Sequence, residues 1–346
     1  MAKKDDQLYQ HTRSLLIFKS ILVTTLILSI PARAASLDAY ADVVGGAGNG
    51  CSTWGPEPEL SAFFTFSGGT LPLGGVSGCG YSGGMSHVKA ASGPLANSKS
   101  VGPVILGNPG YSGYFNGTAN AVANYGQLGA SAHANISGGV PGSPLALFES
   151  VGAAKFSDTL TASSSLVTTS SAGFARYQFS VDGSLTSLGA PAAYFFGENY
   201  AVLDIQQQNG PVYEILNAHE RRGGLGTISN SSPPLGWTTS MGSLIGGSTF
   251  YSLDLPMNWG KAWDLKVGLL TWAYGTADTN FLTTAKITGL ELFDANHVQV
   301  TQFSLSSASG TNYINAVPIP QSMALMMSGL GLLGFSARRK NSSPGL

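Results

Sequence analysis

The stretch RYQFSVDG, residues Arg176 to Gly183, decides the fold class because apolar and polar side chains alternate along it without a break. The apolar set is Tyr177, Phe179 and Val181, and the polar set is Gln178, Ser180 and Asp182. A period of two places successive side chains on opposite faces of a β-strand, so we expect a strand with one buried face. Asp182-Gly183 is predicted to end this strand as a turn.

The same alternation recurs elsewhere in the chain. It is found in YGQLGASAHAN, residues 125–135, and in WDLKV, residues 263–267. In AVLDIQQQNGPVYEIL, residues 201–216, Asn209-Gly210 separates two alternating runs, which predicts a β-hairpin. Pro211 lacks an N–H group, so we expect the second strand of that hairpin at a sheet edge.

The composition favours the same fold class. The chain has 46 Gly and only 10% charged residues, and no long window outside the terminal segments shows a helical stripe. We therefore predict an all-β protein, specifically an antiparallel β-sandwich of jelly-roll or lectin type. The exported β-rich domain is predicted over residues 35–316. It comprises a Gly-rich, disulfide-pinned part at 35–113 and a sandwich core at 114–316. Within the first part, loops and short strands are expected from Val43 to Gly113.

A secretory signal peptide is predicted at residues 1–34. A basic leader precedes the apolar run ILVTTLILSI, residues 21–30, and Ala32-Arg33-Ala34 fits the small-x-small rule. Cleavage is therefore expected between Ala34 and Ala35, after passage through the secretion translocon. The alternative is an N-terminal anchor that is not cleaved.

Charge is distributed unevenly along the chain. Residues 35–316 carry nine Lys and Arg against sixteen Asp and Glu, a net charge of −7, although the whole chain is at −1. An acidic body without a Lys/Arg cluster lacks the electrostatic footprint of a nucleic-acid binder. Basic residues instead flank both apolar terminal segments, which predicts cytoplasmic chain ends and an exported body.

The two cysteines, Cys51 and Cys79, both fall in the exported part. In an oxidising compartment such a pair usually forms a disulfide, so we predict one here. Two cysteines are too few for a zinc site, and the histidines of the body do not cluster at ligand spacing. We expect no metal and no cofactor.

Short catalytic signatures occur without their structural context. GLGLLG, residues 329–334, matches the dinucleotide fingerprint, but the chain ends before the required βαβ unit. GYSGG, residues 80–84, would make Ser82 a nucleophile, but Gly-rich flanks replace the strand and helix of a nucleophile elbow. A glycosidase would need two close carboxylates from the set Glu214, Glu220, Asp254 and Asp264. We predict that the protein is not an enzyme and keep a secreted hydrolase as a minor alternative.

Aromatic residues concentrate between positions 237 and 274. The set comprises Trp237, Trp259, Trp263, Trp272, Tyr251 and Tyr274. Most aromatic side chains of a sandwich lie in its core, but exposed ones bind the faces of sugars. A carbohydrate-binding module is therefore the second functional hypothesis, with the four tryptophans as its possible sugar-binding residues.

The chain ends with a short apolar segment. VPIP, residues 317–320, precedes an uncharged run at 323–337 that Arg338, Arg339 and Lys340 terminate. As a helix this run would be about 22 Å long, less than the roughly 30 Å hydrocarbon core of a bilayer. We predict a marginal transmembrane helix followed by a cytoplasmic tail at 341–346.

This tail resembles the sorting signal of PEP-CTERM proteins, which some Gram-negative bacteria export. The matching features are Val317, Pro318, Pro320, the Leu/Gly-rich run and the basic cluster, whereas Ile319 stands where that family usually has Glu. The resemblance implies that an exosortase-type membrane enzyme recognises residues 317–340. It also implies transient or permanent anchoring in the inner membrane, a final site at the cell surface or outside the cell, and an association with exopolysaccharide.

Overall fold

The computed structural model describes residues 35–47, 81–106, 113–137, 146–187, 197–222 and 243–314. These residues form fourteen β-strands and no helix. The strands are β1 (Ser36–Ala47), β2 (Tyr81–Ala90), β3 (Leu95–Leu106), β4 (Gly113–Asn124), β5 (Gln127–Ser137), β6 (Ala146–Ser163), β7 (Ala172–Ser187), β8 (Gly197–Gln207), β9 (Val212–Arg222), β10 (Ser243–Tyr251), β11 (Leu255–Asn258), β12 (Ala262–Tyr274), β13 (Ala277–Asp294) and β14 (Ser304–Ser307). The predicted all-β class is confirmed for the described residues.

Two sheets contain these strands. Sheet A has the order β2-β1-β6-β12-β8-β9, with β14 beside β6, and sheet B has the order β10-β7-β13-β5-β4-β3, with β11 beside β7. The strand pairs of the described residues are antiparallel. The chain changes sheet repeatedly, for example between β5 and β6 and again between β6 and β7. This arrangement is compatible with the predicted β-sandwich.

The main hydrophobic core contains side chains from both sheets. Leu37 and Phe156 of sheet A belong to the same buried cluster as Leu128 and Phe179 of sheet B. Each fully buried Leu or Phe contributes about 1.5–3 kcal/mol relative to an exposed one. The alternation in RYQFSVDG is confirmed, because its apolar residues are buried and its polar residues are half-buried.

Hydrogen-bonded polar groups cross this core. Trp263 Nε1 donates to Tyr177 Oη over 3.0 Å, and Tyr177 Oη donates to Gln207 Oε1 over 3.0 Å. Gln207 Nε2 donates to the carbonyl O of Pro256 over 2.8 Å. Because a buried polar group is costly without a partner, these bonds join β7, β8, β11 and β12 in one specific arrangement.

The predicted hairpin at Asn209-Gly210 is confirmed. It joins β8 to β9, and the Gly210 N–H donates to the carbonyl O of Gln207 over 3.1 Å. Among the described strands, β9 lies at one edge of sheet A, as the position of Pro211 predicts.

The predicted turn at Asp182-Gly183 is wrong, because β7 continues through it to Ser187. Gly183 lies against the ring of Phe281, and a Cβ at this position would come within 2.3 Å of a ring carbon. Glycine is needed here for close packing of that ring, and not for the φ > 0 of a turn.

The Gly-rich part at 35–113 shares both sheets with residues 114–316. β1 lies between β2 and β6 in sheet A, whereas β3 pairs with β4 in sheet B. The expectation of loops and short strands from Val43 to Gly113 is wrong for β2 and β3, which are ten and twelve residues long. Backbone pairing with neighbouring strands organises β2 and β3 although their own sequences lack clear alternation.

Several predicted features lie outside the described residues. They are the signal peptide at 1–34, the cysteines Cys51 and Cys79, the sorting signal at 317–340 and the tail at 341–346. Within the described ranges, no helix has the length and hydropathy that a membrane crossing requires.

The N-terminal and C-terminal ends of the described chain lie close together in the fold. Ser36, at the start of β1, pairs with Ser157 in β6. Tyr313 is 4% exposed, and its Oη donates to Asp158 Oδ2 over 2.8 Å. The N–H of Ser309 donates to Asp158 Oδ1 over 3.0 Å. Because Ser157 and Asp158 are adjacent, both segments are attached to one short part of β6.

Candidate functional site

A surface pocket lies on the outer face of sheet B, where the chain passes from β10 to β11. The N–H of Ser252 donates to the carbonyl O of Tyr177 over 2.8 Å, and its Oγ accepts a bond from the Tyr177 N–H over 2.8 Å. These two bonds hold the connecting segment against β7 between the two strands. Leu253 and Asp254, which follow Ser252, therefore lie beside the polar face of β7.

Arg176 occupies the centre of this surface. Its Nε donates to Asp254 Oδ1 over 2.7 Å, and its Nη1 donates to Glu291 Oε2 over 3.4 Å. The guanidinium carbon lies 4.8 Å from the centroid of the Phe293 ring. The hydrogen bond to Asp254 raises the pKa of Arg176 above its ordinary value. The guanidinium is therefore charged and held by two carboxylates above an aromatic ring.

His297 extends this cluster from the turn after β13. Its φ is 58°, and Asp294 stabilises the turn by accepting backbone N–H bonds. The imidazole stacks on Phe174 with ring centroids 4.0 Å apart, and its Nδ1 lies 3.1 Å from Asp254 Oδ2. Asp254 is therefore in contact with Arg176 through one oxygen and with His297 through the other.

Apolar side chains border the charged groups. Tyr251 and Leu253 are each 42% exposed. Gln178 Nε2 donates to Tyr251 Oη over 3.1 Å, which orients the phenol ring. The cavity beside them measures about 650 Å³, and the residues that line it are Arg176, Tyr251, Ser252, Leu253, Asp254 and Glu291. We call these six residues the Arg176 pocket.

The Arg176 pocket combines three kinds of contact in one cavity. The guanidinium supplies N–H donors, and the carboxylates of Asp254 and Glu291 supply acceptors. The phenol ring and the Leu253 side chain supply apolar surface. Such a lining is suited to reversible binding of a ligand that has both hydroxyl or amide groups and C–H surface.

The outer face of sheet A, the side that faces away from sheet B, is the second surface with functional groups. Ser150 Oγ donates to the carbonyl O of His133 in β5 over 2.6 Å, so Ser150 faces sheet B. Its neighbours Glu149 and Val151 therefore face outward. Cross-strand partners on β12 and β8 continue each of these residues into a row of three side chains on the outer face. The first row is Glu149, Tyr274 and Glu198, and the second row is Val151, Trp272 and Tyr200.

Hydrogen bonds connect these two rows. Trp272 Nε1 donates to Glu149 Oε2 over 3.2 Å, and Tyr200 Oη donates to Glu198 Oε1 over 3.1 Å. The ring of Trp272 also stacks on Tyr274 with centroids 5.7 Å apart. Glu149, Glu198, Tyr200 and Trp272 are buried although they lie on the outer face.

Burial dominates the electrostatics of this outer face. It raises the pKa of Glu149 to about 8, although the hydrogen bond from Trp272 opposes the shift. Burial likewise raises the pKa of Asp42 to about 6 and lowers the pKa of Lys155 to about 8. In each case the neutral form is favoured because the charged form has lost its hydration.

Three of the four tryptophans predicted to bind sugar are buried. Trp259, Trp263 and Trp272 are 1%, 2% and 6% exposed, so none offers an open ring face to solvent. This burial does not favour a tryptophan platform at these three positions, because neighbouring side chains cover the rings. Trp237 lies outside the described residues.

The residues weighed for catalysis have separate structural roles. Glu214 accepts a bond from Asn217 Nδ2, Glu220 from the Ser187 N–H, Asp264 from Thr159 Oγ1 and Asp254 from Arg176 Nε. Ser82 lies in β2 and pairs with Gly45, and the next described element is strand β3 rather than a helix. In the described ranges no group of three His, Cys, Asp or Glu side chains is arranged to hold a metal ion.

The Arg176 pocket is a candidate site that sequence reasoning did not predict. Arg176 is 78 residues from Asp254 and 115 residues from Glu291 along the chain, so no local spacing relates them. Leu253-Asp254-Leu255 even resembles a strand in which both leucines share a face. The bonds of Ser252 interrupt that strand, and Leu253 is exposed whereas Leu255 is buried.

Comparison of this chain with protein-family models, with curated proteins and with solved structures finds no match.

Proposed function

We propose that this protein is an exported, non-enzymatic component of the cell surface or the extracellular matrix, associated with exopolysaccharide. The proposed chain has a signal peptide at 1–34, a jelly-roll or lectin-like body, and a sorting signal with a short transmembrane helix at 317–340. The repeated passage of the chain between sheets A and B supports the jelly-roll topology. The resemblance of the tail to PEP-CTERM signals supports the sorting role.

The observation that carries the proposal is the position of the two ends of the body. Ser36 and Tyr313 are both attached to β6 at Ser157 and Asp158. The proposed sorting motif starts at Val317, only four residues after Tyr313. A membrane segment that follows so closely would hold this end of the body near the bilayer, with the opposite end of β6 directed away from it.

The position of β1 supports signal-peptide cleavage between Ala34 and Ala35. β1 begins at Ser36 and pairs with both β2 and β6. Removal of residues 1–34 would therefore leave the strand complete, with its backbone bonds on both sides.

The proposed partner at the C-terminus is an exosortase-type enzyme in the inner membrane. Pro318 and Pro320 favour extended backbone, the conformation in which proteases bind their substrates. Ile319 in place of Glu removes a charge from the motif, so we expect slower processing than in a chain that has the usual glutamate. A slowly processed chain would spend longer in the membrane before its release.

The test is the intact mass of the protein recovered separately from the inner membrane, the cell surface and the medium of its native host. We expect a released species that starts at Ala35 and ends between Val317 and Pro320. Recovery of all the protein in the inner membrane with Leu346 present would contradict processing, and the protein would then be a permanently anchored surface domain.

The variant Ile319→Glu sharpens this test. It restores the charge usual in the sorting motif, so we expect a larger released fraction than for the natural chain. Gln321→Glu is the matched control, because it adds the same charge just outside the motif. An equal released fraction for both variants would indicate that the motif is not read by an exosortase-type enzyme.

A further inference from the structure

We propose that the Arg176 pocket binds a neutral polysaccharide, through contacts with the hydroxyl groups and one C–H face of its sugar rings. This inference rests on the proposed function in one respect, since export is what would bring the pocket into contact with such a polymer. The residues that carry it are Arg176, Asp254, Glu291, Tyr251 and Leu253, all of which line one cavity.

The polar groups of the pocket match the chemistry of sugar hydroxyls. A hydroxyl both donates and accepts a hydrogen bond, so a binding site needs donors and acceptors side by side. Arg176 has five N–H donors, of which Asp254 and Glu291 accept two within the described residues. The remaining donors of the guanidinium stand next to two carboxylates that have further lone pairs. Vicinal hydroxyls of one sugar ring could therefore donate to a carboxylate and accept from Arg176.

The polar groups are also held in place before a ligand binds. Asp254 is held by Arg176 and His297, and the guanidinium lies over the Phe293 ring. Fixed side chains lose little rotamer freedom on binding, so more of the contact energy appears as affinity. This arrangement distinguishes the pocket from an ordinary group of exposed charges.

The apolar part of the pocket provides a surface for the C–H face of a sugar. The Tyr251 ring is 42% exposed, and Gln178 fixes its direction through the phenol oxygen. Leu253, also 42% exposed, extends this surface along the cavity. Aromatic rings with one apolar face and one polar end are typical contact residues where a ligand is partly apolar and partly hydrated.

The charge of the pocket indicates a neutral polymer rather than an acidic one. One guanidinium stands against the carboxylates of Asp254 and Glu291, and the body as a whole carries a net charge of −7. Like charges at a binding site reject a competing ligand, so uronic-acid polymers should bind more weakly than uncharged ones. The cavity of about 650 Å³ also lies within the range of small-ligand pockets.

The experiment is affinity electrophoresis of the exported protein, purified from its host, in native gels that contain one polysaccharide each. The probes are dextran, mannan and galactan as neutral polymers, alginate and hyaluronate as acidic ones, and the exopolysaccharide of the host. We expect retardation by at least one neutral polymer and none by the acidic ones. The retardation should persist at high salt because it depends on hydrogen bonds and stacking rather than on ion pairing.

Matched variants connect the retardation to the pocket. Tyr251→Ala should weaken binding at least about tenfold, whereas Tyr251→Phe retains the ring and should stay within about threefold of the natural protein. Tyr114→Ala is the control, because Tyr114 is 43% exposed but does not line the pocket. Circular dichroism of each variant verifies that the β fold is retained.

Several outcomes would overturn the proposal. They are the absence of retardation by every neutral polymer and by the exopolysaccharide of the host, retardation by acidic polymers alone, and equal retardation of the natural protein and Tyr251→Ala. None of these outcomes affects the mass measurement that tests export and processing. Conversely, unprocessed protein that still binds through Tyr251 would contradict the sorting proposal and support the pocket.

Discussion

The outer faces of the two sheets differ in how they accommodate charge. On sheet A, β8 is buried along nearly its whole length, and Glu149, Glu198 and Asp204 are buried with it. On sheet B, β7 alternates between buried and half-buried residues, and the charged Arg176 remains partly exposed. Carboxylates occur on both outer faces, but Asp254 and Glu291, which contact Arg176 on sheet B, are partly exposed.

Different physical causes set the ionisation of the charged groups on the two faces: burial on sheet A and a hydrogen bond on sheet B. Burial raises the pKa of Glu149 to about 8. On sheet B the hydrogen bond to Asp254 instead raises the pKa of Arg176, which favours its charged form. On the first face the charged forms lose hydration, whereas on the second the charged groups are paired and partly exposed to water.

The largest expected difference between the faces concerns stability. Trp272→Ala removes a buried ring from sheet A and should lower the free energy of unfolding by about 3–5 kcal/mol. Tyr251→Ala removes a half-exposed ring from sheet B and should cost less than about 1 kcal/mol. Urea unfolding followed by circular dichroism measures both variants under the same conditions.

Trp272→Phe serves as the control for this comparison. It keeps most of the apolar volume but removes the indole N–H that donates to Glu149. The loss of unfolding free energy should therefore lie between the losses for the two alanine variants. Equal costs for Trp272→Ala and Tyr251→Ala would show that the outer face of sheet A is not packed in solution.

The second prediction concerns pH. Because the pKa of Glu149 rises from 4.5 to about 8 on folding, its contribution to stability is present below pH 4.5 and is lost as the pH rises through 8. Glu149→Gln cannot titrate, so at pH 9 it should be more stable than the natural protein by several kcal/mol, since a shift from 4.5 to about 8 corresponds to about 5 kcal/mol at about 1.4 kcal/mol per pKa unit. Urea unfolding at a series of pH values between 4 and 9 tests this.

Two other groups on the same face titrate in different windows and provide controls. The pKa of Asp42 is raised from 3.8 to about 6, so this residue should lower stability only as the pH rises through that range. Asp42→Asn should therefore flatten only that part of the plot of unfolding free energy against pH. Lys155, with a pKa lowered from 10.5 to about 8, acts with the opposite sign and adds stability as the pH rises from 8 to 10.5. Parallel curves for Glu149→Gln and the natural protein between pH 4.5 and 8 would contradict the buried state of Glu149.

The sequence predicted the parts of the fold that local pattern controls. Alternation located β7 and β12, and Asn209-Gly210 located the hairpin between β8 and β9. Pattern failed for β2 and β3, because strands rich in Gly and Ser show no alternation and depend on backbone pairing with their neighbours. It failed again at Gly183, where packing against Phe281 decides the local structure and a turn signal is present by chance.

The candidate site was less accessible to sequence reasoning. Trp263 shares its parity with Leu265 and Val267, so alternation alone already assigns it to the core rather than to a sugar platform. Tyr251 lies in the expected aromatic region, but its exposure depends on the end of β10 and on the pairing of that strand with β7. Contacts between segments that are distant in the chain determine which side chains are exposed. These contacts cannot be inferred from the local pattern of a single sequence.

The smallest expected effect separates a binding role of Asp254 from a structural one. Its pair with Arg176 is partly exposed, with side-chain exposures of 20% and 36%, so Asp254→Asn should lower stability by at most about 1 kcal/mol, and less at high salt. Asp278→Asn is the matched control on the same sheet, because its pair with His133 is exposed at 47% and 49%. There we expect a change in stability within about 0.5 kcal/mol. We also expect a lower pKa of His133, because the hydrogen bond to Asp278 raises it, and NMR titration measures this change.

If Asp254→Asn weakens polysaccharide binding while Asp278→Asn does not, although both leave the fold almost equally stable, then the carboxylate of Asp254 contacts the ligand. A loss of several kcal/mol in Asp254→Asn would instead make the pair a structural element, and the charges on sheet B would resemble those on sheet A.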